Sequence, residues 1–515
     1  MSSDPLGNVL AGFSLRALGD EVRSGDSIAI KGYELERYPV GDSTVVIMNQ
    51  GGVGRYIAVE PSLTDKERDR LSALLRHLYL NLPPEDAANP SARMTQNLID
   101  AATRLGFLDE LMASLHKYEY YMRRELDGHG RLDVLTRDES IEDIKCTGPA
   151  RPVVVKHKRY SEFDWLRTNL VYATEEETEN AVQKVLQKCG KIATTSIPIV
   201  DARTPENHRV SVRFGNEVSV TGTGFTMRKF PSEPISITTL VRTNTLTPLM
   251  VAYLWVLLEA KAFTMILGPT ASGKTTLMNT LISLTNPNLA VCTVEDNPEL
   301  VIPNAIWDRL ISRRGYSIAG GQYDIDLLDL TKHTLRLTPD FVVVGEVRGE
   351  EIQALIQSAL TGHGALCSFH SDSVEGALVR MSSPPMNVPL GNLMQVWAFA
   401  TMNRVRREEG KVVRRVVSVT ELQPRAGGFD QREAFSYDAR SDTFSPGSAE
   451  ELIEGKSFRL RQAAHLFGWD GKELTDEVSE RSGYIEGMVR KGVFSLKEVS
   501  EAVRQFYLEK YRLKR

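Results

Sequence analysis

At 515 residues the chain exceeds the roughly 250–300 residues at which a single core stops growing, so two or three domains are expected. Hydrophobic residues at 42% and charged residues at 25% exclude wholesale disorder. A net charge of -5, from 62 basic and 67 acidic residues, gives no overall field for holding a polyanion.

The first residues, MSSDPLGNVLAGFSLRALGDEV, lack the basic start and long apolar core of a signal peptide. From Ser27 to Val59, short apolar alternations broken by Gly and Asp predict a small sheet. Thr64-Asp-Lys-Glu67 is a capping box opening a helix with Leu71, Leu74, Leu75 and Leu78 on one face. An extended region near Pro83 precedes helices that run to about Glu125. Residues 1–60 read as a variable N-terminal segment and 61–230 as an α+β domain.

Strands are expected between Gly130 and Val155, a charged helix from Thr174 to Cys189, and further strands at 197–201, 209–213 and 218–230. Pro231-Ser-Glu-Pro234 begins a hinge assigned to 231–240. The apolar stretch 248–268 carries Glu259 and Lys261 in its middle, which favours a buried helix leading into a strand over a membrane span. In 241–425, short β-branched runs at 263–267, 290–294 and 341–344 alternate with helical stretches, the pattern of a parallel sheet covered on both faces. This is an α/β nucleotide-binding core. Residues 426–515 read as a strand and helical extension whose end, KYRLKR, is a solvated terminus. Cys146, Cys189, Cys292 and Cys367 are scattered without metal-ligand spacing and read as structural thiols of a reducing cytosol.

The chemistry concentrates in the core. Gly268-Pro-Thr-Ala-Ser-Gly-Lys-Thr275 fits G-x-x-x-x-G-K-[ST] between a predicted strand and a predicted helix. Gly268 and Gly273 allow the backbone to curl, so that the N–H groups of Pro269's successors Thr270, Ala271 and Ser272, and those of Lys274, Thr275 and Thr276, face phosphate. Lys274 would reach the β- and γ-phosphates of ATP, and Thr275 would ligate Mg²⁺. Leu337-Thr-Pro-Asp-Phe-Val-Val-Val-Gly-Glu346 supplies an apolar strand with a carboxylate at its end. Gly345 stands where the general pattern has an Asp, leaving Glu346 to orient or deprotonate water. Glu295, Asp296 and Glu299 cluster after another strand and call for a shared cation, for which Mg²⁺ or its water shell is the candidate. His363 and His370 are too poorly spaced for a metal site, and each is either a phosphate-facing group or a satisfied core histidine.

GPTASGKTT, TVEDNPEL, LRLTPDFVVVGEVRGEE and TGHGALCSFHSDS, in this order, resemble the Walker A, Asp, Walker B and His boxes of the secretion ATPase superfamily of type II and type IV secretion, type IV pili and archaella. The stretches YYMRRELDGHGRLDVLTRDESIEDIKCTGPARPVVVKH, VDARTPENHRVSVRFG and GTGFTMRKF resemble the N-terminal domain of its archaeal branch, so the likeness runs from about Ala58 onward. Asn297 and Ser371 depart from the residues usual there. The resemblance implies a RecA-like P-loop NTPase core behind an α+β N-terminal domain, closed into a homohexamer that hydrolyses ATP with Mg²⁺. It assigns catalytic acid roles to Glu295 and Glu346, with Glu295 beside Thr275 at the metal, directly or through water. His370 takes a sensor role, and the arginines Arg203, Arg209 and Arg228 act on the phosphates, as a guanidinium fork suits that charge. It also implies a cytoplasmic protein held at the membrane by a polytopic platform partner, acting on pilin-like or secreted substrates. The archaellum motor would share every one of these residues. A nucleic-acid translocase would need a basic channel that the net charge does not suggest, and a non-catalytic scaffold would have no use for the carboxylates.

Overall fold

The computed structural model describes residues 32–81, 93–230, 234–313, 324–407, 412–425 and 428–512. The chain divides into two compact units, Met1–Ser232 and Glu233–Arg515. The expected strand residues before Gly32, the extended region near Pro83, the start of the hinge at 231–233 and the final Leu513-Lys-Arg515 lie outside the described residues.

Among the described residues the N-terminal unit is built on nine strands: β1 (Tyr33–Val40), β2 (Ser43–Gln50), β3 (Val53–Val59), β4 (Ile141–Cys146), β5 (Pro152–His157), β6 (Leu166–Val171), β7 (Ile199–Arg203), β8 (Arg209–Arg213) and β9 (Gly224–Arg228). Their order is β1-β2-β3-β6-β5-β4-β9-β8-β7, antiparallel except where β3 meets β6. Period-two patterning decides the faces: Val210 and Val212 of β8 are buried while Arg209, Ser211 and Arg213 alternate away from the core. Helix α1 (Glu175–Lys188) lays Val182, Val185 and Leu186 into this core, and Thr174 caps it by accepting from the Glu177 N–H. A separate cluster joins Leu71, Leu74, Leu75 and Leu78 to Tyr118, Tyr121 and Met122, and the predicted capping box is present, with Glu67 accepting from Thr64 N at 2.7 Å. The strand expected over 218–230 is confined to β9, because Val218–Gly222 turns, with Gly222 at a φ of +84° and Val220 fully exposed.

In the C-terminal unit the strands are β10 (Phe263–Leu267), β11 (Val291–Glu295), β12 (Trp307–Ile311), β13 (Phe341–Val347), β14 (Gly364–Phe369), β15 (Val396–Arg406), β16 (Val412–Arg425), β17 (Gly428–Asp438) and β18 (Thr443–Ser445). They lie in the order β12-β11-β13-β14-β10-β15-β16-β17-β18, parallel from β12 to β15 and antiparallel beyond. Every residue of β10, β11 and β14 is buried, which explains their largely apolar character. This is the α/β, RecA-like core expected, preceded by the expected α+β unit. The apolar stretch forms helix α2 (Pro248–Glu259), buried over ten consecutive residues and followed by β10.

Helix α2 is enclosed by α3 (Gly471–Arg490) and α4 (Leu496–Arg512). Trp255 Nε1 donates to Tyr507 Oη at 2.9 Å, and that hydroxyl donates in turn to the Leu284 carbonyl. Arg481, fully buried, bridges Glu259 and Glu477, and Lys510 also pairs with Glu477. Removing Arg481 takes from the half-buried Glu259 its ion-pair partner, while Glu477 keeps Lys510. Arg481→Ala is expected to destabilise this unit by about 3 kcal/mol, read as a lower urea midpoint in tryptophan fluorescence.

Candidate active site

The carboxyl edge of the parallel sheet assembles the site. Leu267 of β10 is in register with Phe369 of β14, so the next residues, Gly268 and His370, leave the sheet side by side. Gly268 has a φ of +147°, and a Cβ there would lie 2.3 Å from the Met402 carbonyl oxygen and 2.7 Å from Ser272 Oγ, so no other residue fits. Gly273, at +101°, turns the chain into helix α5 (Lys274–Ile282). The buried Lys274 ammonium donates to the carbonyls of Gly268 at 2.8 Å and Pro269 at 3.0 Å, and stands 3.3 Å from His370 Nδ1. Thr275 and Thr276 follow in the first turn, half-exposed, and the Thr275 hydroxyl makes no hydrogen bond among the described residues.

An ammonium can only donate, so His370 Nδ1 accepts and the ring proton sits on Nε2. That nitrogen is 2.8 Å from a Glu346 oxygen. Burial, then the Lys274 charge, pushes the His370 pKa below its usual 6.5, which keeps the ring neutral at pH 7. Burial likewise lowers the Lys274 pKa. At Glu346 burial opposes ionisation, but the hydrogen bond from Arg348 at 2.6 Å and the charges of Arg348 and Lys274 prevail, and its pKa is lowered. Glu346 is therefore an ionised carboxylate in a row Lys274–His370–Glu346–Arg348.

Glu295 ends β11 and is buried. Its Oε1 accepts from the N–H groups of Glu299 at 2.6 Å and Leu300 at 2.8 Å, and Arg309 Nε is 3.4 Å from Oε2. Burial outweighs these contacts and raises its pKa. A Cβ on Gly345 would come within 3.3 Å of Glu295 Cγ, so the space a side chain at 345 would need is taken by this carboxylate arm. Asp296 accepts from Ser312 Oγ at 2.8 Å and lies 3.8 Å from Arg348. Among the described residues, Arg309 is the cation paired with Glu295 and Arg348 the cation nearest Asp296. Among the described residues no group of three His, Cys, Asp or Glu side chains could hold a metal alone. Mg²⁺ characteristically keeps waters and shares itself between one or two protein oxygens and phosphates, and the unengaged Thr275 hydroxyl fits that use. Glu295, with both oxygens engaged, fits it through water.

His363 faces elsewhere: its Nδ1 lies 3.0 Å from Thr361 Oγ1 and 3.2 Å from the Ser358 carbonyl, at the end of helix Glu351–Leu360. Within the N-terminal unit, Arg203 and Arg228 are the direct cross-strand partners of Arg209, so the three guanidinium-bearing residues form one row across β7, β8 and β9. Arg228 Nε donates to Asp143 at 2.9 Å, and Arg203 Nη1 to Asn207 Oδ1 at 2.8 Å. Like charges placed directly opposite repel, and Asp143 supplies one counter-charge to the row.

Sequence reasoning passed over Arg309, Arg348, Arg380 and Arg414. Arg348 was within reach, because residues two apart share a strand face and it follows Glu346 by two. Arg309 reaches Glu295 only through the pairing of β12 with β11. Arg380 bonds the His370 carbonyl and lies over the Phe369 ring at 4.7 Å, and Arg414 Nε donates to the Ala271 carbonyl at 3.1 Å.

Residues 134–417 match the family described as Type II/IV secretion system protein. An uncharacterised protein of Methanocaldococcus jannaschii is 30% identical over 500 residues, covering 91% of this chain and 88% of its own length. A putative conjugal transfer protein of Mycobacterium tuberculosis is 24% identical over 286 residues, 53% of this chain and 76% of that protein. Among solved structures, the Legionella pneumophila ATPase DotB aligns at 17% identity with a TM-score of 0.39, over 70% of this chain and 88% of its own.

The Lys274–His370 contact is open to titration. Histidine ring resonances followed by NMR should place the His370 midpoint below 6.5. In Lys274→Ala that midpoint should rise, since the nearest charge opposing protonation is gone.

Proposed function

Because the chain belongs to the type II/IV secretion system protein family, we propose that it is a motor ATPase that binds Mg-ATP at the loop Gly268–Thr276 and hydrolyses it with the carboxylates Glu346 and Glu295. The observation that carries this reading is the row Lys274–His370–Glu346 beside a glycine-turned loop at the carboxyl edge of a parallel sheet, the edge where such folds bind ligands. Lys274 neutralises phosphate charge, and Thr275 holds Mg²⁺. A bound Mg²⁺ would polarise the phosphates and offset the charge that develops on them. The ionised Glu346 orients the attacking water and accepts its proton. His370, neutral and in contact with both Lys274 and Glu346, reports the state of one to the other. The row of Arg203, Arg209 and Arg228 is the second set of cations offered to phosphate.

In this proposal the protein works as a homohexamer, a head-to-tail ring that closes, and powers assembly of a type IV pilus-like filament or type II/IV secretion. Assembly and rotation of an archaellum is the variant that uses the same site. Among the described residues no helix is long and apolar enough to cross a membrane, so membrane work is proposed to run through a polytopic platform partner from the cytoplasmic side. No nucleic acid is required.

Glu346→Gln is expected to bind Mg-ATP with near wild-type affinity and to lose turnover by about 10²-fold or more, the usual worth of a general base. Lys274→Ala should lose nucleotide affinity itself, measured by equilibrium binding of a fluorescent ATP analogue. Undiminished turnover in the first variant would remove Glu346 from the mechanism, and undiminished binding in the second would remove the loop.

A further inference from the structure

The hairpin of β15 and β16 passes directly behind the phosphate loop. Arg404 and Arg414 are opposite one another in its register and therefore share a sheet face. The next residue, Arg415, points to the other face and is buried there. Its guanidinium grips both oxygens of Asp442, at 2.9 and 3.1 Å, and donates to the Thr243 carbonyl at 3.0 Å. Arg415 thus anchors the strand, and alternation aims Arg414 at the loop.

Arg414 Nε donates to the Ala271 carbonyl at 3.1 Å, and its Cδ is 3.5 Å from where a Cβ on Gly273 would stand. Ala271 holds a φ of +63°, a left-handed conformation that a residue with a Cβ adopts only when its surroundings impose it. Lys274 secures the first two carbonyls of the loop, those of Gly268 and Pro269, and Arg414 secures the fourth. With these carbonyls held by cations, the N–H groups are the polar groups left to meet phosphate.

We propose that Arg414 is a positioning residue for the phosphate loop: by fixing the Ala271 carbonyl it holds the loop in its phosphate-accepting shape, and so sets nucleotide affinity rather than the rate of hydrolysis. The inference rests on the ATP reading above. A hydrogen bond from a guanidinium to a carbonyl is a modest interaction, so its loss should cost about five- to tenfold in binding and not abolish it. Arg404 is the natural comparison. It carries the same charge in the same row, and among the described residues its side chain makes no hydrogen bond to the loop.

The test uses the full chain with Mg-ATP, measuring KM, kcat and the Kd of a fluorescent ADP analogue for wild type, Arg414→Ala, Arg414→Lys and Arg404→Ala. Arg414→Ala should raise KM and Kd about five- to tenfold with kcat within about twofold. Arg414→Lys should recover most of that loss, because an ammonium still donates to one carbonyl, and Arg404→Ala should shift KM by less than about twofold. Equal binding by wild type and Arg414→Ala overturns the proposal. So does a loss in Arg404→Ala as large as in Arg414→Ala, which would make the effect one of general charge, or no recovery in Arg414→Lys. A wild-type protein that binds no nucleotide would overturn the ATP reading and this inference with it, whereas unaffected binding in Arg414→Ala overturns this inference alone. Arg414 is exposed, so its variants should keep the wild-type unfolding midpoint.

Discussion

The register of β10 against β14 is the constraint on which the candidate active site depends. Because Leu267 pairs with Phe369, the phosphate loop and His370 emerge from adjacent strand ends, and Lys274 reaches the imidazole. A slip of one residue, about 3.3 Å along a strand, would separate them. Full burial of both strands forbids such a slip, since it would have to re-pack every side chain on two covered faces. The core is thus rigid where the chemistry is placed, and the loops that carry the polar groups are tied back to it by Lys274, Arg380 and Arg414.

Two carboxylates at this edge sit in opposed environments. Glu346 is surrounded by Arg348, His370 and Lys274 and is held ionised, whereas burial raises the pKa of Glu295. Environments that drive two acids apart suit them to different tasks, the ionised one to accepting a proton and the other to holding a water. The glycine at 345 belongs to the same arrangement. It removes a side chain from the end of β13 so that the arm of Glu295 can cross from β11.

Much of this was legible in the sequence. The glycine-rich loop, the capping box at Thr64–Glu67, the burial of Leu71, Leu74, Leu75 and Leu78 and the largely apolar strands all follow from local chemistry or from a period of two or 3.6. Those signals act over a few residues, so they survive in a linear reading. The strand proposed for 218–230 came out short because a positive-φ glycine turned the chain, a local fact that alternating β-branched residues concealed. His363 and His370 could not be told apart, since the difference between a helix end and the carboxyl edge of the sheet is a difference of strand order.

By itself, then, the sequence determined a glycine-rich loop of the phosphate-binding pattern, two strand-end carboxylates, an α/β core and an α+β unit before it. Only the tertiary structure decided which groups meet. It aligned Arg203, Arg209 and Arg228 in one cross-strand row, set Arg309 and Arg348 rather than a neighbouring acid against the carboxylates, and brought Arg414 to Ala271 across more than a hundred residues of chain. The reason is physical. Backbone propensities and hydrophobic periods are properties of neighbouring residues, whereas a charge is satisfied by whatever lies within about 4 Å in space, and that is fixed by sheet order and register.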